Sequence, residues 1–158
     1  MDDVEFIVNE YGDMLYRICL IRLKNEADAE DAVQDTYLKY MRKHPSFDSE
    51  AHRRNWLIRV AINRCKDIFR SNRIRAAEDI EEALSVSSGE DSDGNEIIKA
   101  LMLLPEKYSE VMILHFAEGQ DYKTIAGIIG RSESAVKMRI KKGRELFMEI
   151  YKKEKYLL

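Results

Sequence analysis

Residues 121–147, DYKTIAGIIGRSESAVKMRIKKGRELF, decide the fold. Asp121 stands just ahead of a short apolar helix, where a side-chain oxygen can cap the free backbone N–H groups. Tyr122, Ile125, Ala126 and Ile129 recur at helical spacing, so this helix buries one side. Gly130 suits the left-handed residue that ends many helices. Ser132 can cap a second, longer helix, in which Val136, Ile140, Gly143, Phe147 and Ile150 share the inward face. Ser134, Lys137, Lys141 and Arg144 follow at spacings of three, four and three and point outward, with Arg139 and Lys142 beside them. Two helices joined by the tight turn Gly130-Arg131-Ser132 make a helix-turn-helix. The major groove of duplex DNA admits an exposed basic helix of this kind. For the second helix by itself a solvated basic face is the lesser alternative, and the short helix and turn ahead of it weaken that alternative further.

The rest of the chain reads as helical on either side of one break. Ile97, Leu101 and Leu104 end a short helix, Pro105 fits the first turn of the next, and Gly119 closes that helix after Phe116. Residues 77–95 are acidic, rich in Ser, Gly and Asp, and poor in aromatics, so they are expected to form a linker. It divides the 158 residues into lobes 1–76 and 96–158, each near the lower size limit for independent folding. In the first lobe Ile7, Tyr11, Met14, Ile18 and Ile21 define one helix. Ala29, Val33, Tyr37 and Tyr40 line a second, with Asn25 and Asp28 placed as a box-like pair at its start. A loop over 44–50 contains Pro45 and leads to a third helix, from about Ser49 to Arg73. Its apolar row is Leu57, Ala61, Cys65 and Ile68. Trp56 and Phe69 read as core rather than as stacking platforms. No alternating strand pattern occurs, so the expected class is all-α.

Charge separates these segments sharply. The formal charge is −6 over residues 1–50, +7 over 51–76, −7 over 77–95 and +3 over 96–158, for a net −3. Blocks this one-sided point to different partners for different stretches. On the third helix Arg59, Lys66, Arg70 and Arg73 share a face with Asn63; such a row suits phosphates, and Asn63 could read a base edge. On the second helix Asp28, Asp31 and Asp35 face outward with Gln34 and Leu38. Outward carboxylates most often only keep a helix soluble, whereas an exposed Leu among acids marks a protein-binding face; the residues alone leave both readings open.

Several functions are excluded by spacing. Gly127–Gly130 has the pattern of a KH-domain clamp, but Ile129 belongs to an apolar stripe and no strands flank it. A calcium loop around Asp91-Ser92-Asp93-Gly94 would place Gly89 and Ala100 at its first and twelfth positions, where carboxylates are needed. Ser134–Lys137 matches a Ser-x-x-Lys nucleophile without its companion motifs. The three His are isolated, and Cys19 and Cys65 have no zinc spacing. No cofactor and no catalysis are expected. No apolar run approaches the ~20 residues of a membrane span. The acidic start MDDVEF is unlike a secretory signal, so a reducing cytoplasm is the expected compartment.

Three stretches, DAEDAVQDTYLKYMRK, NWLIRVAINRCKDIFR and LLPEKYSEVMILHFAEGQDYKTIAGIIGRSESAVKMRIKKGREL, stand in this order. Together they resemble the bacterial extracytoplasmic-function (ECF) sigma factors across nearly all the chain outside the linker. The resemblance implies two helical domains, region two in the first lobe and region four in the second. It implies that Asp28, Asp31, Gln34, Asp35 and Leu38 dock on core RNA polymerase. Phe47 and Asp48 in the loop, with Arg59, Asn63, Lys66, Arg70 and Arg73, would open the −10 promoter element and capture a flipped base. Arg131, Ser132, Ser134, Ala135, Lys137, Arg139, Lys141, Lys142 and Arg144 would meet the −35 element. The acidic linker would run through the polymerase cleft. Two positions depart from the family pattern: Ala135 stands where many members carry a Thr that reaches a phosphate, and Arg131 takes a turn position that is usually aliphatic. An anti-sigma factor commonly restrains this family but leaves no readable mark in the residues. The rival readings are a stand-alone helix-turn-helix regulator, which would need no polymerase, and an RNA-binding adaptor.

Overall fold

The computed structural model describes residues 3–71 and 92–156, all-α with no strand among them. The chain divides into two compact units, Met1–Ala76 and Ala77–Leu158. Of the expected linker, residues 92–95 are helical and the rest lies outside the described residues, as does Arg73.

In the first unit, α1 spans Asp3–Leu23, α2 Glu26–Lys43 and α3 Glu50–Ser71. Each packs against the other two. Lys24, with φ 61°, turns the chain sharply after α1. Asn25 then caps α2, its Oδ1 accepting the Asp28 N–H at 2.8 Å. The end of α2 is closed by His44, which adopts φ 46° and donates its N–H to the Tyr40 carbonyl at 3.0 Å. Ser49 Oγ accepts the His52 N–H at 3.1 Å and so starts α3. Small residues on α2, Ala29 and Ala32, are fully buried and let it lie close to its neighbours, while Leu15, Ile18, Leu57, Ile58 and Ile62 fill the centre. Burying each of these large side chains is worth roughly 1.5–3 kcal/mol. The Thr36 hydroxyl, buried among them, donates to the Ala32 carbonyl at 2.8 Å.

Two expected core aromatics sit elsewhere. Trp56 and Phe69 are half-buried, because their helical phase places them on the flanks of α3, away from the Leu57–Ala61–Cys65–Ile68 row. Tyr37 is also only half-buried.

In the second unit, α4 spans Ser92–Leu103, α5 Glu106–Met112, α6 Tyr122–Ile129 and α7 Glu133–Tyr156. Helices α4, α5 and α6 all pack on α7. Pro105 lies one position before the expected first turn, as the cap of α5 with extended ψ 146°. The chain continues from α5 into a π-helical turn, Ile113–Ala117. Gly119, at φ 67°, then reverses the chain, and the Gln120 N–H donates to the Leu114 carbonyl at 2.9 Å. His115 Nδ1 donates to the Gln120 carbonyl at 2.8 Å, so this histidine braces the corner before α6. Gly143 marks the closest approach of α5 and α7: a Cβ there would lie 3.0 Å from Met112 Cγ.

Candidate nucleic-acid interface

The helix-turn-helix is fixed by caps at each of its corners. Asp121 Oδ1 accepts the Thr124 N–H at 2.7 Å, and that bond, foremost, holds its carboxyl below the usual range. Gly130 takes φ 71° and donates to the Ala126 carbonyl at 2.9 Å, which also accepts the Arg131 N–H at 3.1 Å. Ser132 Oγ accepts the Ala135 N–H at 3.1 Å. Ile125, Ile129, Val136 and Ile140 are buried between the two helices and the rest of the unit.

Arg131, Ser132, Ser134, Lys137, Lys141, Lys142 and Arg144 are exposed. Ala135 and Arg139, on the flank nearest the core, are half-buried. Arg144 differs from its neighbours: its guanidinium lies over the Phe116 ring, 5.2 Å from the centroid, at the rim of an apolar cleft. Met138 is 67% exposed in the middle of the basic face. Its phase, two residues from both Val136 and Ile140, points it outward, but it carries none of the charge that marks this face in the sequence.

On α3, Arg59, Asn63 and Arg70 are exposed and Lys66 half-buried. Arg70 also reaches Asp67 at 3.7 Å. Phe47, in the loop ahead of α3, is half-buried in an aromatic cluster. It stacks on Tyr40 at 6.3 Å and meets Trp56 and His52 edge-on at 5.9 Å and 5.2 Å. The neighbouring Asp48 is exposed, and its N–H donates to His52 Nδ1 at 3.3 Å. The loop therefore has a definite shape, with Asp48 projecting from it.

On α2, Asp31, Gln34 and Leu38 are exposed, and Leu38 and Met41 leave 53% and 40% of their surface open. Asp28 and Asp35 are half-buried. Asp35 Oδ2 accepts Arg64 Nε at 2.6 Å, so this carboxylate clasps α3 as well as facing outward. Asp35, Leu38, Asn63 and Asp67 line one cleft of about 380 Å³, which brings the acidic stripe of α2 beside the basic row of α3. Met41 and the Asp35–Arg64 pair both escape a reading of α2 by itself.

Two separate units thus each carry an exposed basic row, one of them on a helix-turn-helix, and the first adds an apolar stripe edged by acids. Such a chain is a two-domain, DNA-binding transcription protein. Residues 7–75 match the family described as Sigma-70 region 2, and residues 94–147 match Sigma-70, region 4. The chain is 30% identical over 156 residues to the ECF RNA polymerase sigma factor SigW of Bacillus subtilis, covering 88% of this chain and 83% of that protein. It is 30% identical to the RNA polymerase sigma factor CnrH of Cupriavidus metallidurans over 75% of this chain and 71% of that one. Among solved structures it shares the fold of sigma factor RpoE from Bartonella quintana, crystallised with the anti-sigma factor NepR. That likeness has a TM-score of 0.73 at 24% identity and covers 96% of this chain and 98% of that one. The chain belongs to the ECF RNA polymerase sigma factors, proteins of transcription initiation that bind DNA and direct polymerase to promoters.

Proposed function

We propose that the two units divide promoter recognition between them. In the second, Ser132, Ser134, Ala135, Lys137, Arg139, Lys141 and Lys142 on α7, with Arg131 in the turn, meet the −35 element. Arg144 serves at the edge of that face, since its guanidinium is held by Phe116. In the first unit, Phe47 and Asp48 in the loop and Arg59, Asn63, Lys66 and Arg70 on α3 act at the −10 element, and Arg73 would extend the row. Asp28, Asp31, Gln34, Asp35 and Leu38 face core polymerase, joined by Met41. Residues 1–76 form one recognition domain, residues 92–95 at the start of α4 join 96–158 in the other, and 77–91 are the acidic connection between them. Holding and opening DNA need charge, stacking and position but no reacting group, so the protein acts without catalysis of its own, and it works in the cytoplasm because its proposed partners, polymerase and promoter DNA, are there. No helix among the described residues is long and apolar enough to cross a membrane.

One observation carries this reading: the exposed Leu38 and Met41 lie on the acidic stripe of the helix packed directly against the basic helix α3. A stand-alone regulator would use such a surface only to pair with a second copy or to hold a ligand, whereas a sigma factor needs a polymerase-binding face directly beside the one that meets the −10 strand. Bartonella RpoE is seen in complex with the anti-sigma factor NepR and CnrH with the cytosolic domain of CnrY, and an anti-sigma partner would restrain this chain by covering the same faces. Run-off transcription with purified core polymerase tests the reading. Promoter-specific transcripts should require the added chain and disappear when either promoter element is scrambled; transcription indifferent to both elements would overturn it.

A further inference from the structure

Arg53 belongs to the +7 block yet does not sit with the others. Its side chain is only 20% exposed, whereas Arg59 and Arg70 are open to solvent. Its guanidinium carbon lies 5.5 Å from the centroid of Phe6, in the first turns of α1, and 5.7 Å from that of Phe47, in the loop between α2 and α3. Two carboxylates flank it, Glu50 Oε1 at 3.5 Å and Asp3 Oδ1 at 4.0 Å. Each carboxylate is in turn held by a tyrosine hydroxyl: Tyr11 donates to Glu50 at 2.6 Å and Tyr40 to Asp3 at 3.1 Å. The Nε is buried and makes no hydrogen bond, so aromatic faces and charge, more than hydrogen-bond geometry, hold the group. A planar guanidinium suits this place because it stacks on aromatic faces and is more weakly hydrated than a lysine ammonium.

We infer that Arg53 is a positioning residue: it ties the loop through Phe47 to the start of α1 and so sets the loop shape on which −10 base selection depends. The inference rests on the proposed role of that loop. Arg53 itself has no need to touch DNA, since its charge is met by Asp3 and Glu50. Two consequences separate this from an ordinary phosphate contact. Loss of a phosphate contact weakens all sequences alike and reduces the salt slope of binding by about 1. Loss of a positioning residue blurs base choice and leaves the salt slope alone.

The test uses the full chain with core polymerase and promoters carrying single-base changes at −10 or −35, with Arg53→Met, Phe6→Leu and Phe47→Ala. Phe6→Leu keeps apolar bulk but removes the ring, so it remains informative should Arg53→Met fold poorly. A correct base contact discriminates by roughly tenfold or more. All three variants should bring the −10 preference towards parity, with −35 preference, core affinity and salt slope as in wild type. A wild-type −10 profile for Arg53→Met and Phe6→Leu, with Phe47→Ala flattened, overturns the inference and leaves the role of the loop standing. A lowered salt slope for Arg53→Met overturns it in favour of a phosphate contact. An unchanged profile for Phe47→Ala removes the role of the loop, and the inference with it.

Discussion

Asp35 shows how one side chain can serve two surfaces. Its carboxylate looks outward on α2 and also takes the Arg64 Nε at 2.6 Å. Both partners are substantially exposed, so the pair adds only about 0–1 kcal/mol to stability. Asp31→Lys should reduce capture of core polymerase, because it sets a cation against the basic surface expected on the partner, at unchanged helix content. Asp35→Lys should do the same and also lose a little stability. Adding Arg64→Asp to Asp35→Lys should restore the stability but not the capture. Pull-down and thermal melting read the two effects separately; recovery of both in the double variant would make the clasp the whole role of Asp35. The outward phase of Asp35 was legible in the sequence, since periodicity alone fixes it. Arg64 was not, because it lies 29 residues away and only tertiary packing brings it across. Met138 is the opposite case: its position was legible, but the eye follows charge. A thioether in the middle of a basic face can lie against a thymine methyl. Met138→Ala should therefore relax preference at one −35 position, with the salt slope unchanged, while Lys137→Ala should either lower that slope by about 1 or relax a different position. Filter binding of the polymerase complex across a salt series separates the two residues; wild-type behaviour from both would place this face away from the DNA.

At the scale of elements, capping chemistry made the sequence readable. Asn25, Asp121, Gly130 and Ser132 were all placed by residue type, and each makes the expected bond or takes the expected φ. The positions that resisted are non-glycine residues in left-handed conformations, Lys24 and His44, and the π-helical turn after Met112. A Lys does not announce φ above zero and a His only weakly favours it; the packing of α1, α2 and α3 imposes it, against a preference of about 1–2 kcal/mol. Aromatic burial follows the same rule: Trp56 flanks the apolar row of α3, and packing against Tyr40 and Phe47 leaves it half-buried. The Asp121 cap gives a pH signature with a definite sign. The Thr124 backbone N–H, before any other cause, lowers the folded-state pKa below the ordinary 3.8. The cap therefore contributes its stability in full above the unfolded value and loses it as pH falls below 3.8 through the folded one. Asp121→Asn keeps a capping oxygen without the titration. Thermal melts should show wild type losing more stability than Asp121→Asn on acidification through this window; parallel loss would mean that the charge of Asp121 adds nothing to the cap.

On the scale of the molecule, charge decides when DNA is engaged. The +7 block over 51–76 stands between blocks of −6 and −7 in the chain. One acid of the −6 block is also near in space, since Asp35 lines the same cleft as Asn63, together with Asp67, the single acid within the +7 block, which reaches Arg70. In the free protein these carboxylates screen the basic row of α3 and oppose a polyanion. A second handicap is geometric. Binding by one unit raises the effective concentration of the other only if both promoter elements can be reached together, and that gain vanishes where the span is wrong. A polymerase surface that takes the acidic stripe of α2 removes part of the screen and holds the units at a set spacing. The isolated chain should therefore bind promoter duplex weakly and with strong salt dependence, through phosphates alone. With core polymerase, binding should become promoter-specific and the −10 region should open. Permanganate reactivity of unpaired thymines reads the opening, and mobility shifts over a salt series read the binding. Asp31→Lys should lower the reactivity in step with the lost capture while leaving the weak duplex binding of the free chain intact or slightly stronger, because it removes an acid beside α3 and leaves every cation of α3 and α7 in place. Tight, sequence-specific binding by the free chain, indifferent to core polymerase, would instead make each unit a complete reader and leave the acidic stripe without a task.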